Sequence, residues 1–197
     1  MNSSNASESL PERCLDAAIE VISTKGLEAL SLRDVARRLG VSHQAPYKHF
    51  KSRDHLLAEI IRRCLIGFAD HLDQSGSSDD AAERMEALGD AYIDYALGHP
   101  LEYRLMFGTP WPQIVLEEGI DAAARASFDV LCGRLGAVRP DWSPEIVERH
   151  AMFVWSSMHG IASVLESGSM RYLGMSDADQ TLAVEHVKSM IRATFTS

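Results

Sequence analysis

Gln44 carries a side-chain amide that can pair bidentately with the edge of an adenine or reach a phosphate or water. Ala45 beside it is small enough to meet a thymine methyl or to let the backbone come close. His43, Tyr47 and Lys48 share the same short segment and leave polar or basic groups for a partner. Around them the charge is one-sided: Arg33, Arg37, Arg38, Lys48, Lys51 and Arg53 stand in residues 31–53 against Asp34 alone. The whole chain is acidic, at −9 from 19 basic and 28 acidic residues, so this basic island is local. An acidic body behind it would turn the basic face toward phosphates. The expected chemistry is contact with double-stranded DNA.

Two short helices and a turn would position these groups. Ser31 can cap the first helix, with Asp34 three residues on returning the bond to the Ser31 amide. Leu32, Val35, Ala36 and Leu39 fall at i, i+3, i+4 and i+7, which makes a buried stripe and turns Arg33, Arg37 and Arg38 outward. Gly40 can adopt the left-handed conformation that ends the helix, and Ser42 can cap a second helix over about His43–Phe50, with Pro46 and Phe50 inward. Pro46 removes an amide, but four residues back is Ser42, the cap itself, so the proline is expected to loosen only the first turn. The N-terminal end of this second helix is the part that would enter a major groove.

The run GVSHQAPYKHFKSRDHLL resembles the DNA-reading segment of the tetracycline-repressor (TetR) family, in Gly40, Val41 and Ser42 and in Tyr47, His49 and Phe50 of its Tyr-x-His-Phe pattern. Pro46 departs from the usual Leu or Ile before the tyrosine, although an Ala-Pro-Tyr variant also occurs in that family. The resemblance spans about Pro11–Ile61. It implies that Gln44 and Ala45 face base edges, that Tyr47, Lys48 and His49 hold phosphates, and that Phe50 packs inside. A shorter motif, Trp155-Ser156-Ser157-Met158-His159-Gly160, resembles a Trp-x-x-x-His-Gly signature of one regulatory-domain subgroup, and His99-Pro100 to Phe107 looks like the family's sixth helix. With Ser31, Ser42, Lys51 and Arg53, the expected DNA-binding set is Ser31, Arg33, Ser42, His43, Gln44, Ala45, Tyr47, Lys48, His49, Lys51 and Arg53.

Helix signals continue through the chain and no strand alternation is visible, so the expected fold is all-α with about nine helices. An N-terminal arm and three-helix helix-turn-helix domain take residues 1–52, and a larger ligand-binding and dimerisation domain takes 53–197. Pro11–Lys25 reads as a first helix with Leu15, Ile19 and Ile22 inward. Ser52 caps a long connecting helix to about Asp73, and further helices run to Gly98, to Gly108, from after Gln113 to Val138, from Pro144 to Ser167 and from Asp177 to Phe195. In the second domain, family analogy makes some of Phe68, Tyr92, Tyr95, Tyr103, Phe107, Trp111, Phe128, Trp155, Met158 and His159 the wall of a pocket for a small-molecule inducer; the alternative for each is plain core. Trp111 in its proline-rich loop suits a gate, and His159 suits a polar ligand contact or a bond inside the core. Apolar positions on more than one side of the last two long helices, among them Ile161, Val164, Leu165, Val184, Val187 and Ile191, suit a homodimer interface built as a four-helix bundle.

Cys14, Cys64 and Cys132 lack metal-like spacing, and His150 and His159 are nine apart, so neither a metal nor a cofactor is expected. Neither a nucleophile beside a base nor a carboxylate pair stands out, only scattered His99, Glu102 and His150, so an enzyme is the least favoured class. A polar N-terminus and the lack of any run of about 18 apolar residues point to a cytoplasmic protein with no membrane partner. The expected function is a homodimeric regulator, most simply a repressor. It would bind a palindromic operator whose two major-groove sites lie about 34–36 Å apart, and an inducer would release it. The alternative is a DNA-binding adaptor whose second domain recognises a protein.

Overall fold

The computed structural model describes residues 9–108, 110–112 and 120–195. Among these residues there are nine α-helices and no strand: α1 (Leu10–Lys25), α2 (Leu32–Leu39), α3 (Arg53–Asp73), α4 (Ala81–Gly98), α5 (Pro100–Phe107), α6 (Asp121–Val138), α7 (Pro144–Glu166), α8 (Ser169–Tyr172) and α9 (Asp177–Ala193). The number matches the expected one, but the assignment differs. The second helix of the helix-turn-helix is replaced by a 3₁₀ turn at Pro46–Lys48, and α8 is an additional short helix. The arm before residue 9 and the start of the helix expected after Gln113 lie outside the described residues.

The described residues divide into two compact units, one reaching to Arg63 and one taking Cys64–Gly108 and 121–195. The division thus falls inside α3 rather than at 52/53. Its first turns belong to the first unit because Leu56, Leu57, Ile60 and Ile61 are buried, and because Arg63 pairs with Asp16 (2.7 Å) and Glu12 (3.5 Å) of α1. In that unit α1 packs against α2, and Cys14, Leu15, Ala17, Ala18, Val21 and Ile22 are its buried residues. Ser52 caps α3 as expected: its hydroxyl accepts from the His55 amide (3.3 Å) and bonds the His55 ring at Nδ1 (2.8 Å).

In the second unit α7 is the central element, lying against α4, α6 and α9. Val147, Ala151, Val154, Met158 and Ala162 form its buried stripe, a spacing of four, three, four and four that keeps one helical face inward. Asp80 caps α4, its carboxylate accepting from the amides of Ala82 (2.7 Å) and Glu83 (3.3 Å). A reciprocal box of Ser176 and Asp179 caps α9. No described helix is long and apolar enough to cross a membrane.

Candidate nucleic-acid interface and ligand cavity

α2 begins and ends on side-chain and backbone chemistry legible in its sequence. The Ser31 hydroxyl accepts from the Asp34 amide at 3.1 Å; the return bond comes from that hydroxyl to the Asp34 carboxylate (2.5 Å), where the Ser31 amide was the expected donor. Gly40 stands at φ 66°, ψ 27°, and its amide and that of Val41 turn back to Arg37 (3.3 Å) and Ala36 (3.1 Å). These are the two bonds of a Schellman end, which needs a left-handed residue at this position.

Pro46 then decides the shape of the reading segment. Without an amide it leaves the Ser42 carbonyl lacking its i+4 donor, and the Ala45 amide takes that carbonyl at i+3 (3.0 Å). The tighter pattern propagates: Lys48 bonds Ala45 (3.3 Å) and His49 bonds Pro46 (3.0 Å), and only Phe50 bonds at i+4, again to Pro46 (2.9 Å). The effect is therefore larger than a loosened first turn, and His43–Phe50 is a compact turn with Pro46 and Phe50 buried beneath it.

The outer surface of this turn carries the expected polar set. Arg33, Ser42, His43, Gln44, Lys48, His49 and Lys51 are exposed, Tyr47 is half exposed (49%) and Ala45 is half-buried. Arg33, His43, Gln44 and Tyr47 together line one shallow hollow. The cations differ in availability. Arg37 pairs with Asp34 and Arg38 with Glu20, whereas Arg33, Lys48 and Lys51 have no ion-pair partner among the described residues. Ser31 spends its hydroxyl inside its own cap. Arg53 turns inward, donating from Nε to the Leu30 carbonyl (3.2 Å) and from Nη2 to that of Leu27 (3.0 Å), so it fixes α3 to the chain preceding α2.

In the second unit seven of the ten expected ligand residues meet in one aromatic cluster. Phe68 is fully buried with Tyr95 (ring centroids 4.9 Å), Tyr92 (5.3 Å) and Phe107 (5.9 Å) around it. Tyr103 and Trp155 flank His159, whose ring lies nearly parallel to Trp155, 5.5 Å away at 19°. His71 and His99 join through Tyr95, an extension the sequence reading did not anticipate.

His159 Nδ1 meets the Tyr103 hydroxyl at 2.7 Å and that of Tyr92 at 3.3 Å, and Nε2 faces Ser163 Oγ at 3.5 Å. Burial pushes its pKa below the ordinary value, so the ring is neutral near pH 7. Its partners at both ring nitrogens are hydroxyls, which can donate or accept as either neutral tautomer requires. Burial also raises the pKa of Tyr92, Tyr95 and Tyr103, which keeps all three hydroxyls protonated. A depressed histidine pKa binds fewer protons folded than unfolded, so stability is full above about pH 6.5 and falls as pH drops through 6.5 toward the folded value. Urea unfolding between pH 5 and 8 should show this loss, and His159→Gln should flatten it; equal slopes would remove His159 from the account.

Tyr92, Trp155 and Met158 also border an apolar cavity of about 60 Å³. Its remaining wall is mostly aliphatic, with Leu72, Met85, Leu88, Leu131, Val154, Ile191 and Phe195. In a sequence these residues look like ordinary core. Phe128 is half-buried with the Arg125 guanidinium over its ring (5.3 Å), and Trp111 is half-buried in the stretch 110–112; neither borders the cavity. Gly89 sits on the cavity wall in mid-α4, where an added Cβ would come no nearer than 3.8 Å to Met158. Gly89→Ala should therefore stabilise this unit by up to about 1 kcal/mol through helix propensity, read as a raised urea midpoint; destabilisation would mean the wall has no such room.

Of the expected interface residues, Val164 is 38% exposed, Ile161, Leu165, Val184 and Val187 are half-buried, and Ile191 is buried at 5% on the cavity wall. Ile191 thus faces its own core and is unavailable to a partner helix. Val164 is joined by Met152, Phe153, Leu182 and Met190 as the exposed large apolar residues of α7 and α9. Among the described residues no group of three or more His, Cys, Asp or Glu could hold a metal ion.

Residues 15–60 match the family model described as bacterial regulatory proteins, tetR family. Residues 85–190, more than half the chain, match the tetracyclin repressor-like C-terminal domain. The chain belongs to the TetR family. This TetR-family protein is 27% identical over 111 residues to the HTH-type transcriptional regulator Mb1846 of Mycobacterium bovis, covering 55% of this chain and 47% of that one. It is 28% identical over 123 residues to the HTH-type transcriptional activator FasR of Mycolicibacterium smegmatis, covering 59% and 56%. The matches span about half the length of these relatives. A solved structure of a protein with unknown function from Rhodococcus sp. RHA1 superposes with a TM-score of 0.71 at 29% identity, covering 94% of this chain and 97% of that one. The TetR family is a class of helix-turn-helix transcriptional regulators and not of enzymes.

Proposed function

We propose that this TetR-family regulator acts as a homodimeric repressor that binds a palindromic operator and is released by a small molecule bound in its second unit. The observation that carries the DNA half is the compact turn after α2. It presents Gln44 and Tyr47 beside Arg33, Lys48 and Lys51, cations not already spent on carboxylates. In this reading Gln44 and Ala45 meet bases, Tyr47, Lys48, His49, Arg33 and Lys51 meet phosphates, and Ser31 and Arg53 hold the module in shape.

The exposed apolar residues Met152, Phe153 and Val164 on α7 and Leu182 and Met190 on α9 support pairing with a second copy, since burying them would remove apolar surface from water. The cavity beside Tyr92, Trp155 and Met158 supports ligand response, because a second unit used only to recognise a protein has no need of an apolar hollow. A ligand can release DNA only by favouring the non-binding state, and the connecting helix α3 is the element through which that preference would be expressed. The relative FasR is named an activator, so repression is the part of the reading that depends on operator position.

The test is selection of fragments of the source genome by the purified chain at near-physiological salt, followed by sequencing of what is retained. Enrichment of a palindrome beside a few promoters is expected, and transcription from such a promoter should fall when the protein is added. Retention without sequence preference would defeat the operator reading, and a rise in transcription would replace repressor by activator.

A further inference from the structure

The cavity has a chemically asymmetric mouth. α9 lies against α7, and on the other side of the opening it meets α4 through two ion pairs: Lys188 with Asp90 (2.5 Å) and Arg192 with Glu86 (2.8 Å). The residues within each helix are four apart, so the pairs form two rungs across the α4–α9 seam. Inside, the walls are Leu, Met, Val, Ile and Phe side chains, and the Tyr92 hydroxyl is already engaged by Tyr103 and His159. At the rim Lys188 and Arg192 both border the cavity, and so does Glu86.

The positions of the charges are unequal. Lys188 is largely covered, with 12% of its side chain exposed, whereas its partners Asp90 and Glu185 (3.0 Å) are each 58% exposed. The Lys188 stem therefore lies along the cavity wall with its ammonium at the edge of the hollow, while the carboxylates reach outward into solvent. The Lys188 pKa is raised: burial alone would lower it, and the two carboxylates outweigh that, so the group is a permanent cation at the mouth.

We infer that the cavity takes an amphipathic anion, a small molecule with an apolar tail and a carboxylate, whose tail enters between α4 and α9 and whose carboxylate replaces Asp90 and Glu86 on Lys188 and Arg192. This rests on the reading of the cavity as the ligand site. The exchange is inexpensive because the Arg192–Glu86 pair is half-exposed on both sides and contributes little to folding, while the covered Lys188 trades one carboxylate for another and keeps Glu185. At about 60 Å³ the cavity is smaller than an alkyl chain needs, and Met85 and Met158 on its wall are unbranched side chains that can swing to enlarge it. Binding would open both rungs and free α9 from α4, which couples occupancy to the helix carrying Leu182 and Met190.

The experiment is calorimetric titration of the full chain with three probes of equal tail length: octanoate, octan-1-ol and octyltrimethylammonium. Octanoate should bind at least tenfold more tightly than the alcohol, and the ammonium compound should bind weakest. Lys188→Gln combined with Arg192→Gln should bring octanoate down to the level of the alcohol while leaving the alcohol within about twofold. Lys188→Arg, which keeps the charge, should retain the preference and guards against a merely loosened α9. Equal affinity for octanoate and octan-1-ol in the unaltered chain would overturn the anion inference and leave a neutral-ligand cavity. Binding of none of the three by the folded protein would overturn the ligand-site reading, and this inference with it.

Discussion

Phe68→Ala is expected to cost about 3–5 kcal/mol of stability, the range for truncating a fully buried aromatic. Phe68 has no exposed surface and three aromatic neighbours within 5.9 Å, on α4 and α5. Removing the ring leaves a hole whose walls are themselves large, stiff rings, and two of them, Tyr92 and Phe107, also pack around His159 through Tyr103 or directly. They cannot collapse inward without giving up those contacts, which places the cost toward the upper part of the range. Phe68→Leu, which keeps most of the volume, should lose much less. Urea unfolding followed by circular dichroism measures both; a loss below about 1 kcal/mol for the alanine variant would mean that the cluster relaxes freely and is no rigid core.

Gln44→Ala should remove base preference at one position of each half-site, a discrimination of about 1–3 kcal/mol for a bidentate amide contact, while most non-specific affinity stays. Lys48→Ala should do the reverse. It should weaken every DNA about equally and make the dependence of log affinity on log salt shallower by about 0.9 per lost phosphate contact. The two residues stand four apart on one exposed turn, so opposite signatures would separate reading from holding on the same surface. Fluorescence anisotropy with the selected palindrome and scrambled duplexes at several salt concentrations measures both. Uniform weakening by Gln44→Ala would take it off the base-reading list, and an unchanged salt slope for Lys48→Ala would take it off the phosphate list.

Sequence signals worked best where they act within one turn. The Ser31 cap, the Gly40 stop, the Ser52 cap and the stripe of α2 rest on bonds or spacings three to five residues long, and the structure has them, with Leu32, Val35 and Ala36 buried and Leu39 half-buried. The all-α fold followed from the same kind of signal. Pro46 shows the limit: its missing amide was visible, but the way the Ser42 carbonyl would find another donor depended on the whole turn, and the result is 3₁₀. Arg53 counted as one more cation in a basic run until the carbonyls of Leu27 and Leu30, more than twenty residues earlier, took its guanidinium.

What the sequence determined by itself is the helical fold, α2 with both its ends and the basic polar surface that follows it, because caps, breaks and periodicity are local and charge is additive. The tertiary structure alone decided which residues share a space. His159 is 56 and 67 positions from the two tyrosines that bond it, Ile191 turns to its own cavity, and aliphatic residues from five separate stretches line the hollow beside Trp155. Such meetings depend on how the helices pack over long separations, and no spacing along the chain encodes that directly.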